Sequence, residues 1–221
     1  MRHALITAAA LYGTFLCVAA AGVSQSDLQA TVGGLTSPYG ELAACDLPEE
    51  QHLRNVGGSD GAGLCVFTSL DHAGRWHNVP LLIGMRDYMR KHPGGGWPEK
   101  VDSYLQRRSK ETGHPIPKYV HVRTLDKELL REALRRGFMV CITYYVSPSG
   151  RYGGSRIYHM VNLIHAPRDD AQEGWGILDN NYPKTIEWLN GTELARTVAL
   201  RGNNVWFIVI LEPPPPPRLR S

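Results

Sequence analysis

Apolar residues recur at helical spacing in the first half of this 221-residue chain and form strand-like runs in the second half. Val66, Leu70 and Ala73 lie on one face of a helix predicted to begin after Leu64. Two further helices are predicted downstream, the second opening with a proline in its first turn, as suits that residue. Their segments read LLIGMRDYMRKH and PEKVDSYLQRRSKE.

Strand patterns dominate the rest of the chain. A short alternating strand at residues 117–124 precedes a helix that Asp126 can cap and Gly137 can end. Four further strands and a short helix near Thr192 are then expected. The strands cover residues 138–146, 156–166, 175–180 and 205–212. Helices followed by strands predict an α+β domain, with an N-terminal helical part packed on an antiparallel sheet or half-barrel.

Composition indicates one globular domain, because 43% of the residues are hydrophobic and 20% are charged. Residues 1–21 are typical of a secretory signal: Arg2 and His3 precede an apolar run that ends in small alanines. We therefore expect an exported protein, secreted or periplasmic, with no membrane span after signal cleavage. Residues 22–60 are predicted to form an irregular arm, residues 61–212 the folded domain and residues 213–221 a disordered proline-rich tail.

Charge and cysteine content narrow the function classes. The formal net charge is +3 and the basic residues are scattered, which argues against a nucleic-acid partner. Three cysteines remain after the predicted signal is removed, namely Cys45, Cys65 and Cys141. An odd number leaves at least one thiol unpaired within the chain. With three cysteines, a disulfide bridge between Cys45 and Cys141 is allowed but not predicted.

Cys65 is the first candidate for chemistry. It lies in GAGLCVFTSLDHA, where a flexible Gly/Ala run changes directly into the helical pattern. Unpaired N–H groups and the positive end of the helix dipole favour an anion at a helix N-terminus, so this thiol should ionise easily. A thiolate is the nucleophile of thiol enzymes, which also need an imidazole and a group that orients it.

His159 and Asn180 are the candidates for those two roles. His159 begins one predicted strand and Asn180 ends the next, so pairing as a hairpin brings both to the same edge of the sheet. His165 would lie at the opposite end of its strand. Asp179 is the alternative orienting group, but strand alternation sends Asp179 and Asn180 to opposite faces, so only one of them should reach His159. Asn180 is preferred.

These segments resemble the papain-like cysteine peptidases over about residues 55–190. GLCVFTS is similar to the family's nucleophile signature, HMVNLI to its histidine strand and WGILDNNY to the strand that ends in its Asn, Ser and Trp. On that resemblance Asn180 aligns with the catalytic Asn and Tyr182 with the Trp. The resemblance implies a papain-like fold and an amide hydrolase, most simply a peptidase, that acts on peptides or proteins without metal or organic cofactor.

Where the family has an oxyanion-hole Gln six residues before the nucleophile, this chain has Ser59. The remaining candidates for the oxyanion hole are the backbone N–H of Cys65, Ser59 and Asn55. Related bacterial papain-like enzymes use Asp as the third member, which keeps Asp179 open.

The glycine-rich loop at residues 147–156 is expected to border the substrate cleft, with Arg151 and Tyr152 as exposed contacts and Gly63 nearby. Two other functions share the sequence pattern. One is a transglutaminase-like or other thiol acyltransferase, and the other is a catalytically inactive papain-like binding module.

Overall fold

The computed structural model describes residues 35–56, 63–92, 95–169, 171–172, 174–198 and 206–214. The predicted signal peptide at residues 1–21, Ser59 and most of the proline-rich tail lie outside the described residues. In the described part, no helix is long and apolar enough to cross a membrane. The predictions for the signal peptide, Ser59 and the proline-rich tail therefore stay predictions.

The described chain is α+β, as the order of patterns predicted. Its helices are α1 (Leu64–Trp76), α2 (Met85–Arg90), α3 (Pro98–Thr112), α4 (Lys127–Arg135) and α5 (Gly191–Thr197). Its strands are β1 (Tyr119–Val122), β2 (Val140–Val146), β3 (Arg156–His165), β4 (Trp175–Leu178), β5 (Ile186–Leu189) and β6 (Phe207–Ile210). The strands form one antiparallel sheet in the order β1-β6-β2-β3-β4-β5.

Local signals set most of the helix ends. Pro98 is the first residue of α3, and the carboxylate of Asp126 accepts the N–H of Leu129 at 3.0 Å to cap α4. Gly137, at a φ of +78°, follows the end of α4. α2 begins later than predicted, because residues 80–84 form turns and Gly84 adopts a φ of +81° before the helix.

Helix α1 packs its apolar face on β2 and β3, with Phe67, Leu70 and Ala73 fully buried. Polar contacts fix its position as well. The hydroxyl of Ser69 donates to the carbonyl oxygen of Met160 at 3.1 Å, in the middle of β3. Because this bond is buried, shifting α1 along β3 would leave a polar group unpaired, at a cost of about 1–3 kcal/mol. The start of α1 is thereby held over one definite part of β3.

The described part of the arm packs on this core. The N–H of Cys45 donates to the carbonyl oxygen of Ile164 in β3 at 2.8 Å, and the N–H of Leu53 donates to Nε2 of His72 in α1 at 2.7 Å. Nδ1 of His72 faces Oδ1 of Asn162 at 3.0 Å. Burial lowers the pKa of His72 to about 3, so this ring is a neutral structural group that joins arm, helix and sheet.

The three cysteines of the described chain are free thiols. Cys45 and Cys141 are buried and not bridged to each other, and burial raises the pKa of both thiols above the ordinary value. The thiol of Cys141 faces the carbonyl oxygen of Ser69 at 3.4 Å. Cys65 alone is half-buried and has a lowered pKa. Within the described ranges, no group of three or more His, Cys, Asp or Glu side chains could hold a metal ion.

Candidate active site

Cys65 occupies the second position of α1, as the sequence pattern predicted. Gly63 caps the helix at a φ of +68°, a conformation that glycine adopts without strain. A Cβ at Gly63 would lie only 2.2 Å from the backbone nitrogen of Gly96 and 2.3 Å from the carbonyl carbon of Gly95. Gly63 is therefore needed for both its backbone conformation and its close packing. Together these features fix the entry of the chain into the helix and hence the position of the thiol.

The thiol of Cys65 meets the imidazole of His159, which lies in β3 and is 6% exposed. Nε2 of His159 lies 2.8 Å from Oδ1 of Asp179, which leaves Nδ1 for the thiol. Asp179 is completely buried. The structure thus brings a thiol, an imidazole and a carboxylate together at the N-terminus of a helix, with a hydrogen bond between the imidazole and the carboxylate.

Charge attraction in this group outweighs the cost of burial. Burial opposes ionisation of Cys65, yet the hydrogen bond and charge of His159 bring the pKa of the thiol below its ordinary value. Backbone N–H groups of Met160 and Val66 add to that effect. Burial likewise opposes protonation of His159, but hydrogen bonds to Asp179 and Cys65 raise the pKa of the imidazole. Both shifts favour the thiolate–imidazolium pair over the neutral thiol and imidazole.

The third position differs from the preferred prediction: Asp179, the stated alternative, lies against His159, and Asn180 does not. The side-chain amide of Asn180 is buried beneath α1 instead. Its Nδ2 donates to the carbonyl oxygens of Cys65 at 3.2 Å and Met160 at 2.8 Å, and to the hydroxyl of Ser69 at 3.1 Å. Asn180 thus ties the end of β4 to α1 and β3.

Sheet register explains the exchange. Asn162 of β3 pairs with Leu178 of β4, and side chains alternate along both strands. Continued by one residue, this register places Asp179 on the same face as His159. Asn180 then falls on the opposite face, with Asn162, against α1. The hairpin prediction brought both candidates to the correct edge of the sheet, and only the register distinguishes them.

Arg151 and Tyr152 also differ from expectation, because they were predicted as exposed substrate contacts. The hydroxyl of Tyr152 donates to Oδ2 of Asp179 at 2.7 Å. Nη1 of Arg151 lies 3.7 Å from the same oxygen, and the Arg151 side chain is only 13% exposed. The glycine-rich turn that carries these residues folds back behind the carboxylate. The side chains of Arg151 and Tyr152 lie beside Asp179 and are only partly exposed.

The oxyanion-hole candidates have different outcomes. The backbone N–H of Cys65 lies in the first turn of α1, where helix geometry leaves it without an intrahelical acceptor. Asn55 contacts the end of β4: its N–H donates to the carbonyl oxygen of Asn180 at 2.6 Å and its amide to Oδ1 of Asn181 at 3.3 Å. These bonds use the backbone N–H and one amide hydrogen of Asn55, and its role as an oxyanion-hole donor stays a prediction. Ser59 lies outside the described residues, so its prediction stays untested.

Two exposed aromatic residues that adjoin segments of the site were not singled out by the sequence. Trp97 is 48% exposed and follows the Gly95–Gly96 backbone that packs on Gly63. Tyr158 is 53% exposed and precedes His159 in β3. Their positions in sequence, directly after Gly95–Gly96 and directly before His159, are the signal that could have identified them.

In comparisons with known proteins, no protein-family model and no curated protein matches the chain. The functional assignment therefore depends on the residues of the site. They provide an activated thiol, a proton donor that contacts it and a buried carboxylate that orients the donor. These are the parts that acyl-transfer chemistry on a thiol requires.

Proposed function

We propose that the protein is an exported, papain-like cysteine hydrolase that cleaves peptide amides with Cys65 as nucleophile, His159 as acid and base, and Asp179 as the orienting carboxylate. The observation that carries this proposal is the series Cys65, His159 and Asp179: Asp179 is hydrogen-bonded to His159, the pKa of the thiol is lowered and that of the imidazole is raised. Export is proposed from the signal-like residues 1–21.

In the first half of the reaction, the thiolate of Cys65 attacks the carbonyl carbon of the substrate amide and forms a C–S bond. Negative charge then develops on the carbonyl oxygen, near the helix N-terminus and the N–H of Cys65. The imidazolium of His159 gives its Nδ1 proton to the departing nitrogen as the C–N bond breaks. An amine leaves, and the acyl group remains on Cys65 as a thioester.

In the second half, neutral His159 takes a proton from a water molecule, whose oxygen attacks the thioester carbonyl. Breaking the C–S bond releases a carboxylic acid and restores the thiolate–imidazolium pair. Asp179 stays ionised throughout, because its pKa is lowered: burial opposes ionisation, but the hydrogen bond and charge of His159 outweigh it. Its role is to hold the imidazole with Nδ1 toward the thiol and to stabilise its charged form.

The surroundings of the thiol support an extended peptide as substrate. Gly95 and Gly96 bring backbone close to Gly63, just before the nucleophile, and Trp97 extends from that segment into solvent. Tyr158 is also exposed and directly precedes His159 in β3. Exposed aromatic side chains in the segments that flank the site would contact an extended peptide through their rings.

Product analysis tests the proposal against acyl transfer. The protein is incubated with a peptide mixture, with and without a primary amine such as glycine methyl ester, and the products are identified by mass spectrometry. We expect new free carboxyl termini in both samples, because water is the acceptor. Amine adducts that replace the hydrolysis products would assign an acyltransferase. Unchanged peptides across broad mixtures would favour the inactive binding module.

A further inference from the structure

The turn before β3 has an unusual backbone. Tyr152 adopts a φ of +54°, and Gly153 and Gly154 follow at +62° and +69°. Glycine adopts this region freely, whereas a tyrosine does so at a cost in conformational energy. Asn78 is the only other non-glycine residue with a positive φ in the described ranges. Strain of this kind persists only where the surrounding contacts enforce it, and it is concentrated at functional sites.

The hydrogen bonds of the Tyr152 side chain lead to the active site. Its hydroxyl donates to Oδ2 of Asp179 at 2.7 Å, while Nδ2 of Asn181 donates to the Tyr152 oxygen at 2.9 Å. The second bond occupies the hydroxyl as an acceptor and directs its own hydrogen toward the carboxylate. The ring of Tyr152 lies edge-on to the imidazole of His159, with ring centres 6.1 Å apart.

The carboxylate of Asp179 therefore accepts hydrogen bonds from several donors, which share its negative charge. Oδ1 accepts from His159 at 2.8 Å and from the N–H of Asn181 at 2.8 Å, and Oδ2 accepts from Tyr152. Arg151 is the cation that faces Oδ2, and its Nη2 is anchored to Thr185 at 2.9 and 3.0 Å.

Two more titratable groups lie behind Arg151. Oε2 of Glu187 is 3.8 Å from Nε of Arg151, and Tyr144 is fully buried beside them. Burial raises the pKa of Glu187 to about 7, although Arg151 opposes that shift. Neither Glu187 nor Tyr144 hydrogen-bonds to Asp179. Tyr152 is therefore the neutral side chain that hydrogen-bonds to Oδ2 of Asp179.

We propose that Tyr152 is a positioning residue that acts through Asp179: its hydroxyl fixes the carboxylate and withdraws part of its charge from His159. This role rests on the proposed function of Cys65 and His159. A carboxylate with one donor fewer holds the imidazolium proton more tightly. By sharing the charge, Tyr152 leaves His159 acidic enough to protonate the departing amine while keeping its orientation.

Tyr119 offers a matched control for this hydrogen bond. Its hydroxyl donates to Oδ1 of Asp102, also at 2.7 Å, and it is partly buried like Tyr152. It lies in β1, separated from β3 by two strands of the sheet. Tyr119→Phe and Tyr152→Phe therefore remove the same kind of bond, one far from the thiol and one behind Asp179.

The experiment measures kcat, KM and the pH dependence of Cys65 alkylation by iodoacetamide in the parent and both variants. Alkylation quickens at alkaline pH where His159 loses its proton, because a thiolate without a neighbouring cation is more nucleophilic. We expect Tyr152→Phe to lower kcat about tenfold, with KM changed less than about twofold, since one hydrogen bond to a charged group is lost. In Tyr152→Phe, the rise in alkylation rate that accompanies deprotonation of His159, which we call the alkaline step, should move to higher pH. Tyr119→Phe should change neither.

Two results would overturn this role for Tyr152. One is a Tyr152→Phe protein that matches Tyr119→Phe in both measurements. The other is a loss of kcat with an unmoved alkaline step, which would mean that Tyr152 acts on substrate and not through Asp179. Because alkylation needs no turnover, it reports on Tyr152 even if the parent protein proves unable to hydrolyse peptides, and that outcome would contradict only the proposed function.

Discussion

Replacing Cys65 with alanine is expected to abolish hydrolysis while leaving the protein folded. The thiol supplies the bond-forming electron pair, so turnover should fall by about four orders of magnitude or more. The change removes one sulfur atom from a half-buried position in the first turn of α1, and alanine is the best helix former. Stability should therefore change by less than about 1 kcal/mol. Initial rates on a cleaved peptide and a thermal melt measure both effects.

Cys141→Ala is the natural comparison, because it removes a thiol that is fully buried against α1. That variant should lose stability and keep its turnover per folded molecule. Full activity of a folded Cys65→Ala protein would exclude Cys65 as the nucleophile.

Replacing Asp179 with alanine is expected to give the second-largest loss, about a hundredfold to a thousandfold in kcat. The imidazole would lose the acceptor that fixes its orientation and the charge that stabilises its protonated form. Asn180→Ala should instead act on stability, because its amide connects β4 to α1 and β3 and makes no bond to His159. We expect a cost of about 1–3 kcal/mol from that change.

Turnover of the two alanine variants, corrected for the folded fraction, distinguishes the two residues. Hydrolysis by Asn180→Ala should remain within about fivefold of the parent, since no group that bonds to the imidazole is lost. A larger loss of kcat in folded Asn180→Ala than in folded Asp179→Ala would reverse the assignment of the third member.

Much of the site could be predicted because its signals are local. A glycine before Cys65 and an apolar helical pattern after it place a thiol at a helix start, and the adjacent runs ending near Asn180 predict the β3–β4 hairpin that the structure contains. The two neighbours Asp179 and Asn180 could not be separated in this way. Which face each one occupies depends on the strand register, and that is set by packing across the whole sheet.

The turn carrying Arg151 and Tyr152 was misjudged for a different reason. Glycine, serine and charged residues are typical of an exposed loop, yet three successive positive φ angles fold this one back onto Asp179. A polar turn can be ordered by a buried carboxylate. That carboxylate, Asp179, lies far from the turn in sequence, so the pattern of the turn alone does not reveal it. Strand β5 was missed because it is short and only half-buried, so its apolar pattern is weak.

The most direct test of the account is whether His159 activates Cys65. The pH dependence of Cys65 alkylation is measured by mass spectrometry in the parent and in His159→Ala. In the parent, the imidazolium lowers the pKa of the thiol, so alkylation should already proceed at pH values below the ordinary range of a cysteine. In His159→Ala the charge is gone and burial remains, so the profile should move upward by about two pH units or more. Identical profiles in the two proteins would contradict the account.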